Sequence, residues 1–298
     1  MGEIDFAKGH GTLNDFVLFT DADGRLGLTA AQVRGLCDRR AGIGGDGVLR
    51  AVRGRHVPEW DGDPDVWFMD YRNADGSIAE LCGNGLRVFA RYLVERGLAD
   101  GTAFDIGTRA GLRRVSLHAG GVIAAELGEA CLGGPVTVIV DGTRYPATTV
   151  DVGNPHAVVF LPGGQLDALD LTRPPTWEPS DAFPDGVNVE FVEVVAPGCL
   201  RLRVYERGVG ETFSCGTGVV ASAAVHAASC GCEEVTVDVR GGRLAVQFDG
   251  PQAVLIGPAV IVAHGRVDLD VLTDSAQRHA EKNGSCGFAQ DDVPSEAS

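Results

Sequence analysis

The sequence predicts a mixed α/β protein of the α+β type, made of two related halves, and three observations carry that prediction. Most apolar residues fall in short, β-branched runs bounded by Gly, Pro, Asp or Asn, the signature of strands. Only three stretches hold a helical period, and two of these are apolar nearly all round, which suits central rather than surface helices. Three local patterns also recur in the same order: Asn14 and Asn154, Asp46-Gly47-Val48 and Asp185-Gly186-Val187, Cys82 and Cys215, each pair roughly 133–140 residues apart.

In chain order, strands are expected at 16–20 and 48–52, with a helix over 29–38 between them that opens on a Thr29–Gln32 capping box. A strand at 66–71 leads to an apolar helix over 86–96, followed by strands at 115–118 and 122–127. The second half runs through strands at 136–140, 157–161, 187–195 and 200–205, an apolar helix over 219–229, and strands at 235–239, 243–248 and 253–263. A polar segment low in aromatics begins near 274 and reads as a disordered tail.

The bulk properties exclude several functions. With 44% hydrophobic and 22% charged residues, the chain fits a soluble globular protein. A net charge of −16 disfavours a nucleic-acid partner, and no basic run offsets it. No apolar run is long enough to span a bilayer, and the N-terminus lacks the pattern of a secretory signal, so a cytoplasmic location is expected. Oligomeric state is not encoded legibly; a homodimer stays open.

Eight cysteines at irregular spacing in a long chain make a disulfide framework a poor reading, and reduced thiols are expected. Cys230-Gly231-Cys232 is too closely spaced for ordinary zinc ligation and shows no partner pair in the sequence, so no metal site is expected. The only lysines are Lys8 and Lys282, which leaves little scope for a pyridoxal Schiff base, and no cofactor is expected.

The chemistry concentrates in Cys82-Gly83-Asn84-Gly85 and Cys215-Gly216-Thr217-Gly218, each a thiol on a glycine turn running into an apolar helix. A helix N-terminus presents unpaired N–H groups and partial positive charge, a setting that receives a carboxylate and lowers a thiol pKa. Two such ends suit a reaction in which one thiolate removes an α-proton and a thiol on the opposite face returns one. Without a cofactor as electron sink, preorganised N–H donors must stabilise the charge that moves onto the carboxylate.

These segments resemble a known family. The stretch from Tyr71 through Asn73 and Ser77 to Cys82-Gly83-Asn84-Gly85 and Arg87 is similar to the first signature of diaminopimelate epimerases. The stretch from Glu206-Arg207-Gly208 to Ser214-Cys215-Gly216-Thr217-Gly218 is similar to the second. Gly9-His10-Gly11 through Asn14, Gly153-Asn154-Pro155-His156 and Gly186-Val187-Asn188 fit the same family in the expected order.

The resemblance implies two pseudo-symmetric domains, each a mostly antiparallel sheet wrapped around a central helix, with the active site in the interdomain cleft. It divides the chain into 1–127 plus 264–275 and 128–263, leaving 276–298 as tail. It implies a cofactor-independent epimerase that interconverts LL- and meso-2,6-diaminoheptanedioate, a small-molecule substrate, with Cys82 and Cys215 as the acid–base pair. Gly83, Asn84, Gly216 and Thr217 would bind the carboxylate at the reacting centre. Arg207, with Asn73, Asn154 and Asn188, would hold the distal end; Asn14 and Glu206 would hold the reacting ammonium; His156 and Glu206 would tune the thiols. One departure is Gly47, where some members carry Gln. The rival readings are a proline or hydroxyproline epimerase on the same fold and a thiol redox or binding module. The first would have no second charged end to occupy Arg207 and its asparagines.

Overall fold

The structure is a computed structural model that describes residues 2–272. The expected disordered tail and Cys286 lie outside the described residues. The first half comprises β1 (Glu3–Gly11), β2 (Asn14–Thr20), α1 (Ala30–Cys37), β3 (Gly47–Arg53), β4 (Trp67–Asn73), α2 (Gly83–Glu95), β5 (Ala103–Thr108), β6 (Gly111–Leu117) and β7 (Val122–Glu129). The second comprises β8 (Cys131–Val140), β9 (Thr143–Asp151), β10 (Pro155–Leu161), β11 (Thr176–Glu178), β12 (Asn188–Ala196), β13 (Cys199–Glu206), β14 (Gly210–Thr212), α3 (Gly216–Cys230), β15 (Glu234–Val239), β16 (Gly242–Asp249) and β17 (Gln252–Pro258). A last strand, β18 (Val260–Asp268), returns to pair antiparallel with β1.

The two halves share one pairing scheme. In the first, β1 pairs antiparallel with β2, β2 runs parallel to β3, and β3 pairs antiparallel with β4. After α2, β5 returns parallel to β4 and continues into the antiparallel β6 and β7. In the second, β9, β10, β12 and β13 repeat those relations, α3 follows, and β15 returns parallel to β13 before the antiparallel β16 and β17. The sheets meet where β7 pairs antiparallel with β17.

Alternation along the strands explains why the sheets are covered on both faces. Phe16 and Leu18 of β2 and Leu49 of β3 point into the core around α2, while Val17, Phe19 and Val48 face Val33 and Leu36 of α1. The second half does the same: Val158 and Val192 join the α3 side, and Ala157, Val159 and Phe191 build a separate core on the far face. The central core is continuous between halves, with Leu86, Phe89 and Leu93 of α2 and Val219, Val220 and Ala223 of α3 in one cluster. Burying each large apolar side chain contributes about 1.5–3 kcal/mol.

The three expected helices form, and Thr29 with Gln32 makes the capping box at α1. One expected strand is corrected: 253–263 is two strands, broken at Ala259. Pro258 ends β17 on its partner β7, and the chain then crosses to β1, so the two parts serve different partners. The strands β1, β5, β9, β11 and β14 were not expected from the sequence. The structure also corrects the expectation of uniformly reduced thiols, because Cys230 and Cys232 form a disulfide.

Candidate active site

Cys82 and Cys215 are the N-cap residues of α2 and α3, each in extended backbone conformation. The two helix N-termini meet end to end. A Cβ built on Gly216 would lie 3.2 Å from both the Gly83 Cα and the Asn84 backbone nitrogen. A side chain at Gly216 would push the facing backbone away by a few tenths of an ångström, and the glycine brings the N–H groups of both first turns to one place.

A polar chain runs from the Cys82 thiol across this contact to Ser214, the residue before Cys215. The Cys82 Sγ lies 3.5 Å from Asn14 Oδ1 and accepts from the Gly85 N–H at 3.3 Å. The Asn84 amide donates to Asn14 Oδ1 at 3.4 Å, to the Ser214 carbonyl at 3.1 Å and to Ser214 Oγ at 3.2 Å. Thr12 Oγ1 completes the crossing at 2.8 Å from Ser214 Oγ. Asp46 accepts from the other end of the Asn14 amide at 2.8 Å and so fixes which atom faces the sulfur.

Around Cys215, the thiol lies 3.5 Å from Thr217 Oγ1, which in turn lies 3.4 Å from Asn154 Nδ2. The His156 ring is fully buried between Asn154 Oδ1 at 3.0 Å and Glu190 Oε1 at 2.7 Å. Its hydrogen bonds go to these two groups and to neither sulfur. Asn188 sits beside His156 in the parallel pairing of β10 with β12, and its Oδ1 accepts from the Arg207 backbone N–H at 2.9 Å. The Arg207 side chain is exposed, donates to the Asp185 carbonyl at 3.3 Å and forms no ion pair among the described residues. Glu206 is held instead by the Thr212 hydroxyl. The Asn73 amide bonds Ser77 Oγ at 3.0 Å within its own turn, and its backbone pairs with Gly47 beside Asp46.

The thiol electrostatics differ from the sequence expectation. The N–H donors of α2 do pull the Cys82 pKa down, but burial outweighs them and, with the Glu206 carboxylate, pushes it up to about 11. Burial, Glu206 and Glu190 push Cys215 well above the ordinary thiol range. Burial also raises Glu206, with the carboxylates of Glu190 and Asp46 adding to it. Arg87 lies one turn below Cys82, fully buried, and favours its thiolate.

Sequence reasoning missed several neighbours. Glu190 is a fully buried acid flanked by Val189 and Phe191 in β12, and that mismatch was the available signal. It packs so tightly under α3 that a Cβ on Gly218 would overlap its carboxylate. Thr12 gave no comparable signal, and Asp46 and Ser214 lay within the patterns noted in the sequence without a role attached to them. At the departure Gly47, a Cβ would lie 2.6 Å from the Arg72 carbonyl and 2.7 Å from the Tyr71 ring, so Tyr71 fills the space a glutamine side chain would need.

The architecture places the chain among epimerase- and racemase-like folds. Solved structures with this fold include a hydroxyproline epimerase from Agrobacterium vitis (TM-score 0.65, 15% identity, covering 90% of this chain and 93% of that one). Another is a PhzF-family phenazine biosynthesis protein from Bacillus anthracis (TM-score 0.63, 16% identity, 90% and 99%). Sequence resolves the family: the model of the diaminopimelate epimerase family matches residues 6–132 and 148–262, and the chain belongs to that family. It is 50% identical over 274 residues to the diaminopimelate epimerase of Thermobifida fusca, covering 90% of this chain and 99% of that one. It is 47% identical over 274 residues to that of Corynebacterium glutamicum, covering 89% and 99%.

Proposed function

We propose that the protein epimerises 2,6-diaminoheptanedioate between its LL and meso forms by passing protons between two sulfurs across one α-carbon. The observation that supports this most directly is the meeting of two helix N-termini, each capped by a cysteine. The carboxylate at the reacting carbon sits against the N–H groups of Gly83, Asn84, Gly216 and Thr217, which stabilise the charge that enters it when the Cα–H bond breaks. One sulfur, as thiolate, takes the α-proton, and the other, as thiol, delivers its own proton to the opposite face. The configuration inverts and the two sulfurs exchange protonation states.

Cys82 is the easier thiol to ionise, because it accepts from the Gly85 N–H and lies over Arg87, whereas Cys215 faces Glu206 and Glu190. Asn14 and Glu206 orient the reacting ammonium, and Glu206 tunes both thiols. His156, pinned between Glu190 and Asn154, acts on Cys215 through Asn154 and Thr217. No cofactor enters the scheme, and Lys8 is committed to Asp15 at 2.6 Å. The distal carboxylate is taken by the Arg207 fork, with Asn154, Asn188 and Asn73 around it. Such an enzyme would work in the cytoplasm and supply lysine and cell-wall precursors. No helix among the described residues is long and apolar enough to cross a membrane.

The direct test is incubation with LL-diaminoheptanedioate in heavy water. Deuterium is expected at one α-carbon together with an approach to the LL–meso equilibrium, while proline stays unlabelled. Labelling of proline and not of diaminoheptanedioate would favour the rival substrate. A separate expectation concerns Arg207→Ala, which should lower kcat/KM about 10- to 100-fold, mainly through KM, because a charge-assisted contact to the non-reacting end is lost. A loss confined to kcat would remove Arg207 from that role.

A further inference from the structure

The C-terminal end of α3 carries a cluster the reaction does not use. His226 and Cys230 are four residues apart, so they share one face of the helix. Gly231 then adopts a left-handed cap (φ 70°, ψ 23°) and turns the chain back, which sets Cys232 beside Cys230 with a Cα–Cα distance of 5.5 Å. One ligand-capable atom from each of His226, Cys230 and Cys232 lies within 4.8 Å of the others.

The second observation is the histidine itself. His226 is only 7% exposed, its Nε2 is buried, and that atom meets no hydrogen-bond partner among the described residues. A buried imidazole nitrogen without a partner is costly, and such groups call for a specific reason. The ring is held in orientation by stacking on Phe160, with centroids 6.3 Å apart and planes 29° from parallel. Cys230, by contrast, is exposed and Cys232 half-buried, so the cluster opens to solvent on its sulfur side.

We propose that His226, Cys230 and Cys232 form a binding site for a thiophilic divalent cation, with zinc the best match. Two thiolates and one imidazole are a zinc donor set, and the solvent-facing side leaves a fourth position for water. The sequence spacing alone argues against zinc because Cys-x-Cys has no second pair; the helix supplies the missing donor from one turn earlier.

The site has two exclusive states. In the oxidised state the sulfurs are bonded to each other, as in the structure. A dithiol reductant converts this disulfide to two thiols and is itself oxidised to a disulfide. Zinc then binds as both thiols lose their protons, forming two Zn–S bonds and one Zn–N bond to His226. Either state staples the last turn of α3, whose first turn, roughly 20 Å away along the helix, carries Cys215.

Cobalt(II) is the probe, because thiolate ligation gives it a charge-transfer absorption. The protein is reduced with a dithiol, freed of reductant without air, and titrated with cobalt and then zinc. The carrier is the Cys82→Ala/Cys215→Ala chain, which removes the thiol pair of the candidate active site. One equivalent of cobalt with the thiolate band is expected, displaced by zinc, and no band in protein left oxidised. The band should vanish in Cys232→Ser, and His226→Gln should weaken binding at least about tenfold. In the chain with Cys82 and Cys215 intact, retained epimerase activity reports that both substitutions fold, and far-UV circular dichroism does so independently of that function. A band unchanged in Cys232→Ser or His226→Gln, or no thiolate band in reduced protein, overturns the proposal.

Discussion

Replacing Cys82 or Cys215 with alanine is expected to cut the rate of inversion at least about 10³-fold, because one face of the α-carbon then lacks its only proton carrier. The two variants should not be equivalent in what they retain. Each keeps one sulfur and can still exchange the α-proton of the epimer presented to that sulfur, so deuterium uptake without inversion assigns the faces. Near-normal inversion by either variant would remove the two-thiol mechanism. The intact enzyme carries a matching pH signature. Both thiols are held above their ordinary values, Cys82 at about 11 and Cys215 well above the usual thiol range, so at neutral pH both are protonated. The reactive form needs one thiolate and one thiol. Its share of the free enzyme therefore grows about tenfold per pH unit below the lower pKa, and kcat/KM should climb between pH 7 and 9. A flat profile over that range would mean that the proton leaves to another group on substrate binding.

The second large effect is expected at Arg87. Its guanidinium is fully buried and faces no carboxylate ion pair among the described residues, and burial lowers its pKa to about 10. It donates to the Gly83 carbonyl at 3.1 Å and to Asn84 Oδ1 at 2.9 Å, while its Nε meets no partner among the described residues. Arg87→Ala should cost about 3 kcal/mol, from the cavity and from the two hydrogen bonds lost to Gly83 and Asn84, read as a lower melting temperature. Arg87→Met separates packing from charge. It fills most of the space and removes a buried cation, so the fold should survive. It also withdraws the charge that favours the Cys82 thiolate and frees the Asn84 amide. Its kcat at pH 7 should fall at least about tenfold, with the rising limb displaced to higher pH. Wild-type kinetics in Arg87→Met would reduce the residue to a packing role.

The fold was legible where burial is two-sided. Runs such as 16–19 and 157–161 are apolar at successive positions because helices or further core cover both faces. It was illegible where one face is wet or the backbone is interrupted. Charged Glu3, Asp5 and Lys8 hide β1, and Pro146 hides β9, a strand that still pairs with β8 and β10. The same limit applies to the site. The two cysteine turns announce themselves through local spacing, whereas Glu190, Asp46 and Ser214 matter only through contacts made across the chain. The thiol pKa values were misjudged for a related reason. A helix N-terminus is a local feature visible in sequence, but the burial and the carboxylates that override it are products of tertiary packing.

The abutment of Gly83 and Gly216 carries a consequence for variation. The gauge of this jaw is set where Gly216 meets the main chain of Gly83 and Asn84, with the tip of Leu255 beside it. Residues lining the walls can therefore drift without altering the stroke of the proton hand-over, but a single methyl at Gly216 would act as a wedge. The lobes are free to diverge almost everywhere except at the one point where each serves as the other's anvil.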